Sequence, residues 1–324
     1  MCNNTFMMKN YALLLAFVIV AFNSCTTQKT KNINANIITL RDSYCKAPTN
    51  YDYEKVNLHV NSDSLLNEKQ HLRSVFNQQS ILILNALNSL DDVENILELK
   101  KDTSIESQLK IMKIKDKIDG KITLALSEVD AVAAEFDCEG ERVAQMANYV
   151  SSLNNKKNNK MIVYSIAVGA LGSVAGGFIK SDGWDKAVDI GGGLIGAGFG
   201  LALLNPKGKK VEFIHARNIL RDIWQEKLQS RNFPPFIWYM YTEKKFSNLN
   251  EHSIIQNMKQ RWIMYQFEGD VDAANASPIF NDGGKYDSEA LNNRAAMLNQ
   301  MQSATRTINQ NINYLLIDLN KLTR

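Results

Sequence analysis

A mainly α-helical fold is expected from this sequence: a bundle of long helices interrupted by one glycine-rich, apolar helical hairpin. Three observations predict it. Apolar residues recur at heptad spacing near both ends of the chain, over 63–101 and again over 286–324. Only five prolines occur in 324 residues, so little breaks a helical pattern. Between the two seams, 161–204 holds two apolar stretches, MIVYSIAVGALGSVAGGFI and AVDIGGGLIGAGFGLALL, joined by the polar turn KSDGWDK.

The first element is a leader over 1–24. Lys9 precedes an apolar run over 11–22, followed by Asn23, Ser24 and Cys25. A basic start, a short apolar core and a small residue before the cut form the secretory pattern. The run is too short to span a bilayer, which takes about 20 residues. Ser24-Cys25 resembles the lipobox of bacterial lipoproteins, in the looser form familiar from Bacteroidetes. The resemblance covers the first 25 residues only. It implies that Cys25 becomes the acylated N-terminus, held by more than one acyl chain, on the periplasmic face of the outer membrane. Residues 25–62 then form the anchor and an unpatterned polar tether.

Such a compartment is oxidising. Cys2 leaves with the leader and Cys25 carries lipid, so Cys45 and Cys138 remain. They form either a disulfide or two separate small buried residues. No CxxC or Cys/His spacing suits zinc, and His59, His71, His215 and His252 are scattered singly.

The helical region runs over 63–160. Asp63 is placed to cap a helix reaching about Lys101. Leu65, Leu72 and Val93 fall on one heptad line, and Phe76, Ile83, Leu90 and Leu97 on its neighbour. Thr103-Ser104-Ile105-Glu106 has the form of a capping box. It opens a second helix to about Phe136, with Leu109, Ile111, Met112, Ile114, Ile118, Ile122, Leu124 and Leu126 as its apolar face. A third helix is expected from Glu139 to a basic, polar link over 154–160. Beyond the hairpin, 205–285 is denser and mostly helical, with a helix over 216–228, the aromatic run FPPFIWYMY, and a loop over 268–284. The aromatic run reads as core docking. Asp272, Asp282 and Asp287 read as solvated loop acids, since EF-hand spacing is absent. The final element, over 286–324, is a long helix packing on the N-terminal helices. Its region 288–322 lacks Gly and Pro, with Leu291, Leu298, Ile312 and Leu319 on one heptad line and Met301, Ile308, Leu315 and Leu322 on another.

The glycine block supports three readings. As a dinucleotide loop, Gly191-x-Gly193-x-x-Gly196 would follow a strand at 187–190 and precede a second strand over 210–214. That yields an alternative function, a Rossmann-type flavin or NAD enzyme. Against it, Asp189 would put a charge in a buried strand, and the flanks read as helix after helix. As a hairpin, Ser165, Gly169, Ser173 and Gly177 recur every four residues, as do Gly192, Gly196 and Gly200. Small residues at that spacing let two helix backbones approach closely. The hairpin closes either in lipid or in a protein core. For lipid, 161–179 is uncharged and rises about 28 Å as a helix, near the thickness of a hydrocarbon core. Lysines 156, 157, 160, 207, 209 and 210 flank the pair.

The expected function is a membrane-anchored envelope lipoprotein with a membrane-associating hairpin and a structural or partner-binding role, in which Cys25 anchors and the two glycine rows pack. A pore-forming, membrane-permeabilising protein is the alternative, on layout alone. No nucleophile–base pair or carboxylate pair marks an enzyme, and no cofactor or metal is expected. The expected partners are the bilayer, a second copy of the chain or another envelope protein. A net charge of +3 gives no reason to invoke nucleic acid.

Overall fold

The computed structural model describes residues 45–48, 61–178, 209–215, 217–248 and 250–322, the side chains of 157, 158 and 161–178 excepted. These residues are mainly helical, as the periodicity predicts.

The single helix expected over 63–101 is instead three short ones: α1 (Ser62–Glu68), α2 (Gln78–Ala86) and α3 (Leu90–Leu99), with a 3-10 turn at Gln70–Ser74. Polar residues break the run. Asn61, rather than Asp63, caps α1 by accepting from the backbone N–H groups of Asp63 and Ser64. The Asn77 side chain accepts from the Ser80 N–H at 2.8 Å and so starts α2. Asn88 adopts a φ of 49° between α2 and α3, a left-handed conformation that asparagine tolerates better than most residues. The heptad lines still locate the core: Leu65, Leu72, Phe76, Ile83, Leu90 and Val93 are buried, and Leu97 is half-buried. Hydrophobic period identified the inward residues, whereas the caps decide the path of the chain.

Over 105–178 the chain is more regular than its pattern predicts. Two helices and a link were expected where one helix runs unbroken, α4 (Ile105–Phe178), 74 residues long and about 111 Å from end to end. No proline stands between Pro48 and Pro206. The buried face also continues through the expected break, from Val129, Val132 and Phe136 to Val143, Ala147 and Val150. The 154–160 link is part of this helix, and so is the first arm of the expected hairpin. At its start the cap is Ser104, whose Oγ accepts from the Ser107 N–H at 3.2 Å. The Asp102 carboxylate backs it, accepting from the Ser104 N–H at 2.9 Å and the Ser107 hydroxyl at 2.7 Å. Glu106 closes no capping box; it pairs with Lys110 one turn on. Of the apolar face expected for this helix, Ile118 and Ile122 are buried, Ile111, Ile114 and Leu126 are half-buried, and Leu109, Met112 and Leu124 are exposed.

Helix α9 (Ser288–Leu322) packs along α4 and buries every residue of both predicted heptad lines. The positions that interrupt those lines are polar, Arg294 and Thr305, and they are buried as well.

Between α4 and α9 in sequence lie β1 (Val211–Ile214), α5 (Ile219–Trp224), α6 (Pro235–Thr242), α7 (Ile254–Gln266), α8 (Val271–Ala276) and β2 (Gly283–Tyr286), with 3-10 turns at Lys244–Phe246 and Pro278–Phe280. The 268–284 stretch expected as a loop thus contains α8, a 3-10 turn and the start of β2. The helix expected over 216–228 is the shorter α5. Helix α6 is the aromatic run, buried from Phe236 to Tyr241. Phe233, Trp238 and Tyr241 pack together, with Phe233 also against Phe136 of α4. The two strands pair antiparallel, Val211 opposite Tyr286 and Ile214 opposite Gly283. A side chain at Gly283 would place its Cβ 2.1 Å from the Phe213 carbonyl oxygen, and φ there is 110°, so only glycine fits.

Candidate functional site

The antiparallel pairing removes the second half of the dinucleotide reading. The strand expected over 210–214 exists as β1, but a doubly wound fold needs a parallel neighbour for it. Gly191, Gly193 and Gly196 themselves lie outside the described residues.

The predicted attachment residues divide. Cys25, Gly192, Gly196 and Gly200 lie outside the described residues. Ser165, Gly169, Ser173 and Gly177 fall on the backbone of α4, where their four-residue spacing stacks them along one face. Among the described residues no helix is long and apolar enough to cross a membrane; the side chains of the expected hairpin are not among them. Cys45 and Cys138 are joined by a disulfide across 93 positions, which ties the region expected as the tether to the middle of α4.

Two further features bring polar side chains together. The first is a buried polar cluster under the two-stranded sheet. β1 directs Phe213 inward and delivers His215 just past its end, while β2 delivers Tyr286. The His215 Nε2 and the Tyr286 hydroxyl share a hydrogen bond of 2.7 Å, and both residues are buried. Arg294 of α9, 1% exposed, donates through Nη1 to the Ile279 carbonyl at 2.8 Å and to the Asn218 side-chain oxygen at 3.2 Å. Its Nε has no partner among the described residues. Arg142 of α4 pairs with Glu139 at 2.7 Å and lies over the Phe213 ring at 4.6 Å. Burial, then the positive charges of Arg294, Arg142 and Arg221, push His215 down to about 2. Burial lifts Tyr286 to about 12, against a smaller opposing pull from Arg294. The imidazole is therefore neutral and sealed. This arrangement fastens sheet, α4 and α9 together.

The second feature is a surface groove of about 1280 Å³ between α7 and α9, lined also by Phe246, Ser247 and Asn248. Ser253 caps α7 in a full capping box with Gln256, which fixes the direction of that wall. Beneath it, Trp262 is fully buried and donates from Nε1 to the Gln300 side-chain oxygen at 2.9 Å. Among the described residues seven carboxamides, including Gln260, Asn299, Gln310 and Asn311, line the groove alongside Tyr265 and Tyr314, and Arg261 is the one charged residue. Tyr265 is 73% exposed, Met264 63% and Tyr314 55%.

Sequence reasoning did not find either feature. The signal for the cluster was available, since Arg294 and Thr305 interrupt otherwise apolar heptad lines and buried polar residues there specify attachment. The groove gave none, because amides on the outer faces of two helices look like ordinary solvated surface. Of the three loop acids, Asp272 lies exposed in the first turn of α8, Asp282 pairs with Arg221, and Asp287 caps α9 by accepting from the Ala290 N–H at 2.9 Å. Among the described residues no three His, Cys, Asp or Glu side chains gather to hold a metal ion. No protein-family model matches this chain, and no curated protein or solved structure is significantly similar to it.

Proposed function

We propose that this protein is an envelope lipoprotein, held at a bilayer by acylated Cys25 and by the apolar hairpin over 161–204, and acting as a structural or partner-binding component. The observation that carries this reading is the continuity of α4. Up to Val150 its inward face is buried in the helical body, and Asn155, Lys156, Asn159 and Lys160 then lie exposed. The same helix continues for 28 residues past Val150, about 42 Å, into the apolar segment that carries the glycine row. An unbroken helix transmits position and orientation between its two ends in a way that a flexible link cannot. The Cys45–Cys138 disulfide supports export, because such bonds persist in oxidising compartments and are rare in the cytosol. The basic residues at 156, 157 and 160 suit an anionic headgroup layer at the point where the helix would enter lipid.

Fractionation separates the two attachments. Wild-type chain is expected to incorporate a palmitate label that Cys25→Ala loses. A Cys25→Ala chain exported behind a cleavable, non-lipoprotein signal is expected to stay with membranes after a carbonate wash. Recovery of that unlipidated chain wholly in the soluble fraction would overturn insertion. Absence of the label from wild-type protein would overturn the lipid anchor.

A further inference from the structure

We propose that the groove between α7 and α9 is a binding site for a neutral, N-acetylated glycan strand. The assignment rests on the lining of the groove and not on membrane attachment. The space of about 1280 Å³ exceeds the 300–1,000 Å³ usual for a compact small-molecule pocket, which suits an extended ligand. Among the described residues no Asp or Glu contributes to the lining and Arg261 is the only charge, so this lining favours neither a cation nor a polyanion. What it offers is a concentration of carboxamides. Each supplies two donors and an acceptor in one plane, a geometry that answers both paired hydroxyls and the amide of an N-acetyl group.

Many of those groups are uncommitted. The side chains of Gln260, Arg261, Asn299, Gln310 and Asn311 make no hydrogen bond or ion pair among the described residues. The two tyrosines add the second requirement. A largely exposed phenol ring provides a flat apolar face with a polar edge, suited to the C–H face of a sugar ring bearing hydroxyls around its rim. Met258 and Met264 supply adaptable apolar contacts for an acetyl methyl group.

A peptide is the chief competitor for such a groove, and the walls disfavour it. An extended peptide docks best by adding to a free sheet edge, and neither strand contributes a residue to this lining. A helical peptide needs a continuous apolar trough, whereas amides interrupt this one throughout.

The test titrates the full mature chain with a pentamer of β-1,4-linked N-acetylglucosamine and follows heat and Trp262-region fluorescence. Saturable binding below millimolar concentration is expected, with Tyr265→Ala and Tyr314→Ala each weakening it about tenfold. Tyr265→Phe and Tyr314→Phe keep the ring and are expected to stay within about threefold of wild type. Gln310→Ala, at an exposed position where folding is not at stake, is expected to weaken binding by about fivefold. The deacetylated glucosamine pentamer is expected to bind at least about tenfold more weakly. The proposal fails if no saturation occurs at millimolar pentamer, or if the Tyr265→Ala/Tyr314→Ala double variant binds as wild type does. It fails equally if an uncharged Ser/Asn-rich decapeptide binds more tightly than the glycan. Loss of membrane retention leaves these outcomes unchanged, and loss of glycan binding leaves membrane retention unchanged.

Discussion

The α4–α9 pair and the region from β1 to β2 are held together by different physics. Along α4 and α9 the interface is a repeat: apolar residues at three- and four-residue intervals bury one face of each helix, and each layer resembles the next. The β1–β2 region has no repeat. Its aromatic core is fitted to the pair by a few buried polar side chains, each with its own partner. Thr305 meets the Tyr241 hydroxyl in a hydrogen bond, Arg294 reaches Ile279 and Asn218, and Arg217 pairs with buried Glu135 of α4 at 2.9 Å. The helix α2 is pinned in the same manner, with the Asp318 carboxylate accepting from the Asn77 N–H at 3.1 Å and the Ser80 hydroxyl at 2.9 Å. A repeated apolar seam decides that two helices pair. Singular polar contacts decide where everything else attaches.

That contrast can be broken from the seam side first. Leu298→Ala removes a fully buried layer residue and is expected to destabilise the whole protein by about 3–4 kcal/mol. Helical circular dichroism and tryptophan fluorescence should then lose their urea midpoints together. Arg294→Ala attacks the attachment instead. Loss of its charged hydrogen bonds is expected to take about 2–3 kcal/mol. Here the near-ultraviolet signal of Trp224, Trp238 and Trp262 should fade before the helical signal does. Coincident transitions in this variant would show that the two regions are not energetically distinct.

Acid sharpens the comparison through one buried group of the attachment. His215 is held neutral when folded but takes up a proton near its ordinary 6.5 when unfolded. Its contribution is therefore complete above about pH 6.5 and drains away as pH falls towards about 2, at roughly 1.4 kcal/mol per pH unit. Between pH 7 and pH 5 wild-type protein should lose about 2 kcal/mol more than His215→Asn, read as the difference between their urea midpoints. Equal losses would place the buried histidine outside the acid response. The smallest effect is expected from Thr305→Val, which keeps the shape of the side chain but loses its bond to Tyr241, at about 1 kcal/mol.

The same contrast explains what the sequence made legible. The two heptad lines on α9 identified its buried face correctly because a seam depends on residue type and spacing alone. The helix boundaries failed where single polar residues decided them. Asn77 and Asn88 split the expected first helix, and no comparable breaker acts near Phe136, so α4 runs on. The attachment cluster and the groove depend on residues far apart in the chain, such as Arg142, His215 and Arg294, or Tyr265 and Tyr314. Local periodicity carries no information about such meetings.

The disulfide has one last consequence, on the proposed anchoring at Cys25. It sets the length of a leash. Cys45 follows Cys25 by 20 positions, so with the bond closed the lipid cannot lie more than about 70 Å of extended chain from the middle of α4. From Cys138, α4 itself covers about 35 Å before Met161 begins the apolar segment. The leash is therefore long enough for both attachments to share one bilayer, with slack for a polar layer between body and membrane. The closed bond thus puts a ceiling on how far the body can stand from its own anchor.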